Sequence, residues 1–255
     1  MKSLVVCPTY GRIPYLGRML ASFLSQDWDD KHLVIINDDK NVTLHCDYSN
    51  VTVINCNRKM TVAEKRNIGI SVGNYDLIFP LDDDDVFLPN RISNHISKYD
   101  ENKAYRNIPC YLIYGDEFLI GNSSPNSISF KKEEWYNVGG YKIPEDATSA
   151  PAEDIKICND LNDRNILLEE NDNSNIDFVY HFGGVNYHLS CVSHDTIDKI
   201  AYQQLVDMKL EGGHYWIEPD YDKLNMIHDL VQHYKHINTP FKVKHGGNCQ
   251  ISIDK

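Results

Sequence analysis

The chain has 255 residues, 42% hydrophobic and 24% charged, which suffices for one large α/β domain with an elaborated C-terminus. Its 37 acidic and 25 basic residues give a formal net charge of -12, which disfavours sequence-independent attraction to nucleic acid or anionic membrane. Its 7 cysteines include no CxxC pair, so neither a zinc ribbon nor a disulfide framework is indicated. The N-terminus is too briefly apolar for a signal peptide and no window approaches about eighteen apolar residues. The expectation is therefore a cytoplasmic protein with reduced thiols and no transmembrane span, compatible with a peripheral place at a membrane. Nothing in the sequence signals an oligomeric state.

Leu4 to Cys7 is an apolar run stopped by Pro8 and reads as a buried first strand. Pro14 opens a helix on which Leu16, Met19, Leu20, Phe23 and Leu24 recur at helical spacing. His32 to Ile36 predicts a second strand ending at Asn37-Asp38-Asp39, and Val51 to Ile54 a third. Thr61 and Glu64 have the spacing of a capping box, opening a helix through Ala63, Ile68 and Ile70. Asp76 to Leu81 is a fourth strand, and Pro89 opens a helix carrying Ile92 and Ile96. Strand and helix alternate, which specifies a mostly parallel sheet with helices on both faces and ligands beyond the carboxyl ends of the strands.

The second half predicts strands at Cys110 to Tyr114 and Ser127 to Phe130, then a short helix over Lys132 to Val138 stopped by Gly139-Gly140. A helix follows from Ala152 to about Leu161. Phe178 to Tyr180 and Val185 to Leu189 form a hairpin across Gly183-Gly184, and Ile200 to Leu210 and Leu224 to Ile237 are C-terminal helices. The biased stretch Asn171 to Asn175 reads as a surface loop.

Chemistry concentrates at Asp82-Asp83-Asp84-Asp85, directly after the run Leu77-Ile78-Phe79-Pro80-Leu81. Carboxylates at the tip of a buried strand repel one another unless a cation relieves them. Oxygen-only ligands suit Mg2+ or Mn2+, which keep waters and also bind substrate phosphates. An acidic solvated turn is the alternative. Pro8-Thr9-Tyr10 and Asp38-Asp39 are strand-end segments too, so one crevice could collect all three.

The segments VVCPTYGR (5–12), VIINDD (34–39), AEKRNIGI (63–70), YDLIFPLDDDDVFLPNRI (75–92), SISFKKEEWYNVGGY (127–141) and AEDIKIC (152–158) occur in one order and spacing. Over residues 3 to 190 the chain thereby resembles the family-2 glycosyltransferases with the GT-A fold. Such enzymes transfer a sugar from a nucleotide-sugar donor to an acceptor hydroxyl, inverting the anomeric carbon and using Mn2+ or Mg2+. The resemblance implies a GT-A type Rossmann-like sheet over 1–195, divided into a nucleotide-sugar half (1–100) and an acceptor and catalytic half (101–195). Residues 196–255 would be a helical extension packed on the same domain.

Carried over position by position, the resemblance sets Pro8, Thr9, Tyr10 and Arg12 against the donor. It gives Asp38 and Asp39 to the base, typically uracil, although Lys40-Asn41 stands where the family often has Gly-Ser. Lys65, Arg66 and Asn67 match the family's helix-borne basic position near the diphosphate or ribose, for which the planar guanidinium fork is suited, while a lone Arg66 on a helix is more commonly a surface cation. Asp84 becomes the direct metal ligand, with Asp82 and Asp83 near ribose or metal and Asp85 left for a structural hydrogen bond. Asp154 is the implied general base with Glu153 beside it, while both residues also suit a helix N-terminus as dipole complements. His188 is implied as a metal-binding histidine, with His194 and His245 as alternatives, and a core histidine is the bland account. Trp135, Gly140 and Tyr141 stand at the acceptor, where aromatic faces stack on sugars, and Trp135 is equally a core residue.

The donor is expected to be a UDP-sugar. The acceptor is a glycan, lipid-linked sugar, protein or modified nucleic acid, the last served by a basic strip of Lys131, Lys132, Lys242 and Lys244. Two other readings stand beside this one: a non-catalytic sugar- or metal-binding module on the same fold, and a sugar-phosphate nucleotidylyltransferase. Against the latter, Cys7 to Arg12 lacks the expected glycine density.

Overall fold

A computed structural model of the chain describes residues 1–99, 103–114, 117–122, 125–142, 153–182, 212–246 and 250–253. The first half alternates as the pattern predicts: β1 (Ser3–Thr9), α1 (Ile13–Leu24), β2 (Lys31–Asn37), β3 (Val42–His45), β4 (Val51–Asn55), α2 (Val62–Ser71), β5 (Leu77–Pro80), β6 (Val86–Phe87) and α3 (Arg91–Ile96). There follow β7 (Ala104–Asn107), β8 (Pro109–Tyr114), β9 (Glu117–Asn122), β10 (Ser129–Lys131), α4 (Lys132–Val138), α5 (Glu153–Asp163), β11 (Leu167–Glu170) and β12 (Phe178–Phe182). Beyond residue 211 the described elements are β13 (Gly213–Trp216), α6 (Tyr221–Ile237), β14 (Phe241–Gly246) and β15 (Gln250–Ile253).

A seven-stranded sheet runs β11-β7-β10-β5-β1-β2-β4, with β5, β1, β2 and β4 mutually parallel. Strand side chains alternate between faces, and the core divides accordingly. Val5 and Cys7 meet Leu16, Met19, Leu20 and Phe23 of α1 on one face. Leu4 and Val6 join Ala63 and Ile70 of α2 on the other. A six-stranded sheet, β15-β14-β9-β8-β12-β6, carries Tyr111, Phe118 and Val179 against Leu224, Ile227 and Val231 of α6. The result is a GT-A type α/β architecture.

The local signals act as expected in several places. Thr61 and Glu64 form a reciprocal capping box, and Gly139 ends α4 in the left-handed region at φ 76°. Pro8, expected to stop β1, instead lies within it opposite Ile36. β5 has paired with β1 only as far as Val6, so one side of the strand is already free of a partner where the missing N–H occurs. The helix after Pro89 starts two residues later, at Arg91.

The C-terminal region is not purely helical: α6 is accompanied by β13, which pairs with β3, and by β14, which joins β9. The proposed strand 185–189 and helix 200–210 lie outside the described residues. Lys132 of the suggested basic strip is buried and donates to the Gly73 carbonyl at 2.7 Å. Five cysteines, Cys7, Cys46, Cys56, Cys110 and Cys158, are free. Among the described residues no helix is long and apolar enough to cross a membrane.

α2 buries Ala63, Lys65, Arg66, Gly69 and Ile70, so it brings two cations into the protein. Gly69 permits this, because a Cβ there would stand 2.5 Å from Val6 Cγ1 and 2.7 Å from Ile36 Cδ1. Gly69→Ala is expected to destabilise the protein by about 1–3 kcal/mol through overpacking. Urea denaturation checks this, and an unchanged midpoint would show that α2 can move off the sheet without cost.

Candidate active site

The carboxyl ends of β1, β2 and β5 converge, and the acidic run after β5 is wired to the loops after the other two. Thr9 Oγ1 donates to Asp83 Oδ2 at 2.6 Å. Arg12 bridges two carboxylates, with Nη1 to Asp83 Oδ1 at 2.7 Å and Nη2 to Asp84 Oδ2 at 2.8 Å. Lys65 Nζ donates to the Thr9 carbonyl at 3.0 Å and to Asp38 Oδ1 at 2.8 Å, while Met60 N donates to Asp38 Oδ2 at 2.7 Å. Asp38 is therefore engaged on both oxygens. Asp39 is also buried and accepts from Asn41 N at 3.0 Å, with its Oδ2 directed toward Gly11. Tyr10 has the Lys59 ammonium 5.4 Å from its ring centroid.

Arg66, only 1% exposed, joins the two halves of the molecule. Its Nη2 donates to Asp82 Oδ1 at 2.8 Å and its Nη1 to Glu153 Oε1, at the start of α5, at 3.1 Å. Its guanidinium carbon lies 5.2 Å from the Tyr141 ring centroid, and Asn126 Nδ2 holds the other Asp82 oxygen at 2.7 Å. Glu153, Arg66, Asp82 and Asn126 thus form one chain from α5 to the aspartates.

Asp154 is 5% exposed, and its Oδ1 accepts from Ile155 N at 2.7 Å. Burial raises its pKa to about 6, with Arg66 opposing the rise and Glu153 adding to it. A carboxyl so tuned holds or releases a proton near neutrality, as a general base must. Asp83 is also raised to about 6, by burial against the pull of Arg12. Arg12 and Arg66 stay charged: burial lowers them, and the facing carboxylates more than offset it.

Asp85 is fully buried and accepts from His181 N at 3.0 Å, while its Oδ2 has no partner. Arg18 Nη2 donates to the Asp84 carbonyl and lies 3.3 Å from His181 Nδ1. Among the described residues, no three of His, Cys, Asp and Glu gather as a group that could hold a metal ion. His188 and His194 lie outside the described residues, and His245 falls on β14 opposite Ile251.

The residues expected at the acceptor are tied together by Asn67. Its Oδ1 accepts from Trp135 Nε1 at 2.9 Å and Tyr141 N at 2.8 Å, and its Nδ2 donates to the Tyr141 carbonyl at 2.9 Å. Gly140, at φ 78°, allows this approach, because a Cβ would sit 2.8 Å from Asn67 Oδ1. Tyr141 is 3% exposed and belongs to the core, whereas Trp135 is half-buried. Sequence reasoning missed Asn126, Arg18 and His181 as members of the site. Asn67, which the resemblance sets with Lys65 and Arg66 near the donor, has its amide engaged by Trp135 and Tyr141; Asn126 has only a turn-like Pro125-Asn126-Ser127 around it.

The chain matches the model of Glycosyl transferase family 2 over residues 4–154. It therefore belongs to that family. It is 29% identical over 136 residues to an uncharacterized glycosyltransferase of Haemophilus influenzae, covering 50% of this chain and 46% of that protein. It is 33% identical over 96 residues to the uncharacterized glycosyltransferase YwdF of Bacillus subtilis, covering 36% of each. The chain thus spans less than half the length of these curated relatives. S. aureus TarS 1–349 in complex with UDP-GlcNAc superposes with a TM-score of 0.60 at 14% identity, over 92% of this chain and 73% of that one. The mannosyltransferase PcManGT from Pyrobaculum calidifontis, in complex with GDP-Man and Mn2+, gives 0.54 at 13% identity, over 81% and 62%.

Arg66→Met should lower stability by about 3–5 kcal/mol, the cost of leaving Asp82 and Glu153 without their shared cation. Chemical denaturation measures it, and a loss below about 1 kcal/mol would place the pair among ordinary surface contacts.

Proposed function

We propose that this chain is a metal-dependent, inverting transferase that moves a sugar from a UDP-sugar to an acceptor hydroxyl, with Asp154 as the general base. The observation that carries the proposal is the buried Asp154, with its pKa near 6, at the end of the chain Glu153–Arg66–Asp82. The base is thereby coupled through rigid ion pairs to the carboxylates that would face the donor. Complexes of fold neighbours with UDP, UDP-GlcNAc and GDP-Man with Mn2+ support a nucleotide-sugar donor and a divalent ion.

In this reading the acceptor oxygen attacks the anomeric carbon from the face opposite the diphosphate. The bond to the diphosphate oxygen breaks with its electron pair, and the hydroxyl proton passes to a carboxylate oxygen of Asp154. Arg66 and Lys65 hold the donor in place, Glu153 orients Arg66, and Asp39 Oδ2 is the oxygen left for the base once Asp38 is engaged. Thr9 and Arg12 fix Asp83 and Asp84. Asp84 and Asp82 would hold Mg2+ or Mn2+. The donor set fits, being hard carboxylate oxygens in an incomplete shell, with the buried Asp85 Oδ2 unpartnered behind it. When bound, the ion offsets charge on the departing diphosphate. Trp135 borders the acceptor, which is a glycan, lipid-linked sugar, protein or modified nucleic acid. We further propose that residues 1–195 form the transferase unit and that the chain works in the cytoplasm. Family membership weighs against the nucleotidylyltransferase reading, and the presence of Asp154 beside the aspartate run weighs against a non-catalytic module.

Asp154→Asn should reduce turnover by about 10²–10⁴-fold while leaving UDP affinity unchanged, measured by product mass and calorimetry. Because Asp154 must be ionised to take the proton, kcat/KM should fall as pH drops through about 6, and a flat profile between pH 5 and 7.5 would remove Asp154 from the role. Asp84→Ala should weaken Mn2+ and UDP binding together. A purified chain that neither turns over any member of a nucleotide-sugar panel with Mn2+ nor binds UDP would overturn the proposal.

A further inference from the structure

In a two-stranded sheet beside the donor half, β3 and β13 pair in parallel with Trp216 opposite His45 and His214 opposite Thr43. The pairing begins at the donor loop, where Gly213 N donates to the Asn41 carbonyl at 2.9 Å, and it is extended by Ile217 N on the His45 carbonyl at 2.8 Å. Alternation turns Val42, Leu44 and Ile217 inward as buried residues and leaves His214 and Trp216 outward. Trp216 is 54% exposed, an unusual position for so large an apolar surface.

The outward rings are ordered among themselves. His45 Nε2 and His214 Nδ1 are 2.9 Å apart with ring centroids at 5.2 Å and planes within 17°, which sets the two imidazoles edge to edge in one flat surface. Trp216 stacks on His45 with centroids at 4.6 Å and an interplanar angle of 23°. Asp47 and Glu218, both exposed, flank the strip, and Tyr48 and Tyr221 extend it with 36% and 47% exposure. Glu218 is close enough to add to burial in raising the Tyr48 hydroxyl, which also feels Tyr221.

We propose that Trp216, backed by His45 and flanked by His214, forms a platform that anchors a neutral, hydroxyl-rich glycan outside the catalytic crevice. Aromatic faces carry negative charge density and attract the polarised C–H bonds on the apolar face of a sugar ring. The flanking carboxylates accept charge-assisted hydrogen bonds from its hydroxyls. The same carboxylates, with the net charge of -12, repel polyanions and anionic lipid surfaces. Such an anchor raises the local concentration of a polymeric ligand without touching the chemistry. Its bearing on the acceptor rests on the transferase reading; the binding itself does not.

Affinity electrophoresis tests it, with the full chain run in native gels containing soluble starch, dextran or hydroxyethylcellulose, and alginate as the anionic control. Retardation is expected in at least one neutral gel and not in alginate. It should be lost in Trp216→Ala, reduced in His45→Ala, kept in Trp216→Phe and kept in Asp154→Asn. Circular dichroism identifies any variant that fails to fold, and Trp216→Phe then carries the comparison with an added His214→Ala change, which should weaken retardation. Absence of retardation in all neutral gels, retardation by alginate alone, or retardation undiminished in a folded Trp216→Ala would overturn the proposal. Retardation with no donor turnover would instead count against the transferase reading alone.

Discussion

The site depends on one buried cation. Arg66 is removed from water by α2, which can lie close to the sheet only because residue 69 has no side chain. A guanidinium in that position requires acidic partners with good geometry, and it has two, Asp82 from the first half and Glu153 from the second. The demand for charge compensation therefore fixes how the end of β5 and the start of α5 stand relative to each other. Asp154, the next residue along α5, takes its place and its proton affinity from that arrangement.

Around this bridge the acidic run is distributed instead of acting as one patch. Arg66 and Asn126 hold Asp82, Thr9 and Arg12 hold Asp83, Arg12 also holds Asp84, and Asp85 turns inward to the backbone of β12. Four chemically identical side chains are given different surroundings by the turn they occupy, closed by Asp85 N on the Asp82 carbonyl at 3.2 Å, and by which loop each one meets. Burial raises the proton affinity of Asp83 and Asp85.

Much of this was legible in the sequence where local signals agreed with tertiary demands. The buried strands β1, β2 and β5 announced themselves as apolar runs, α2 by its capping box, and α4 by the glycines that end it. What stayed hidden were β3, β6, β7, β9, β11, β13, β14 and β15. β11 reads Leu-Leu-Glu-Glu and β13 Gly-His-Tyr-Trp, segments that become strands because a neighbour offers hydrogen bonds and not because their own pattern demands it. In the same way, the spacing of Lys65 and Arg66 gives no sign that both are buried, and only the resemblance set them near a ligand. The roles of Asn67 and Asn126 needed coordinates, since an amide's partner across the fold leaves no trace in spacing.

The Arg66 bridge also has a consequence in time. Asp82 is made some seventy residues before Glu153, so a nascent chain carries the cation and one carboxylate long before the second exists. Until α5 emerges and docks, the crevice has excess charge, water can enter it, and Arg66 has no reason to stay buried. Closure of the crevice is then a late event in folding, and a ribosome-bound first half would hold the right strands without the arrangement that joins them to α5.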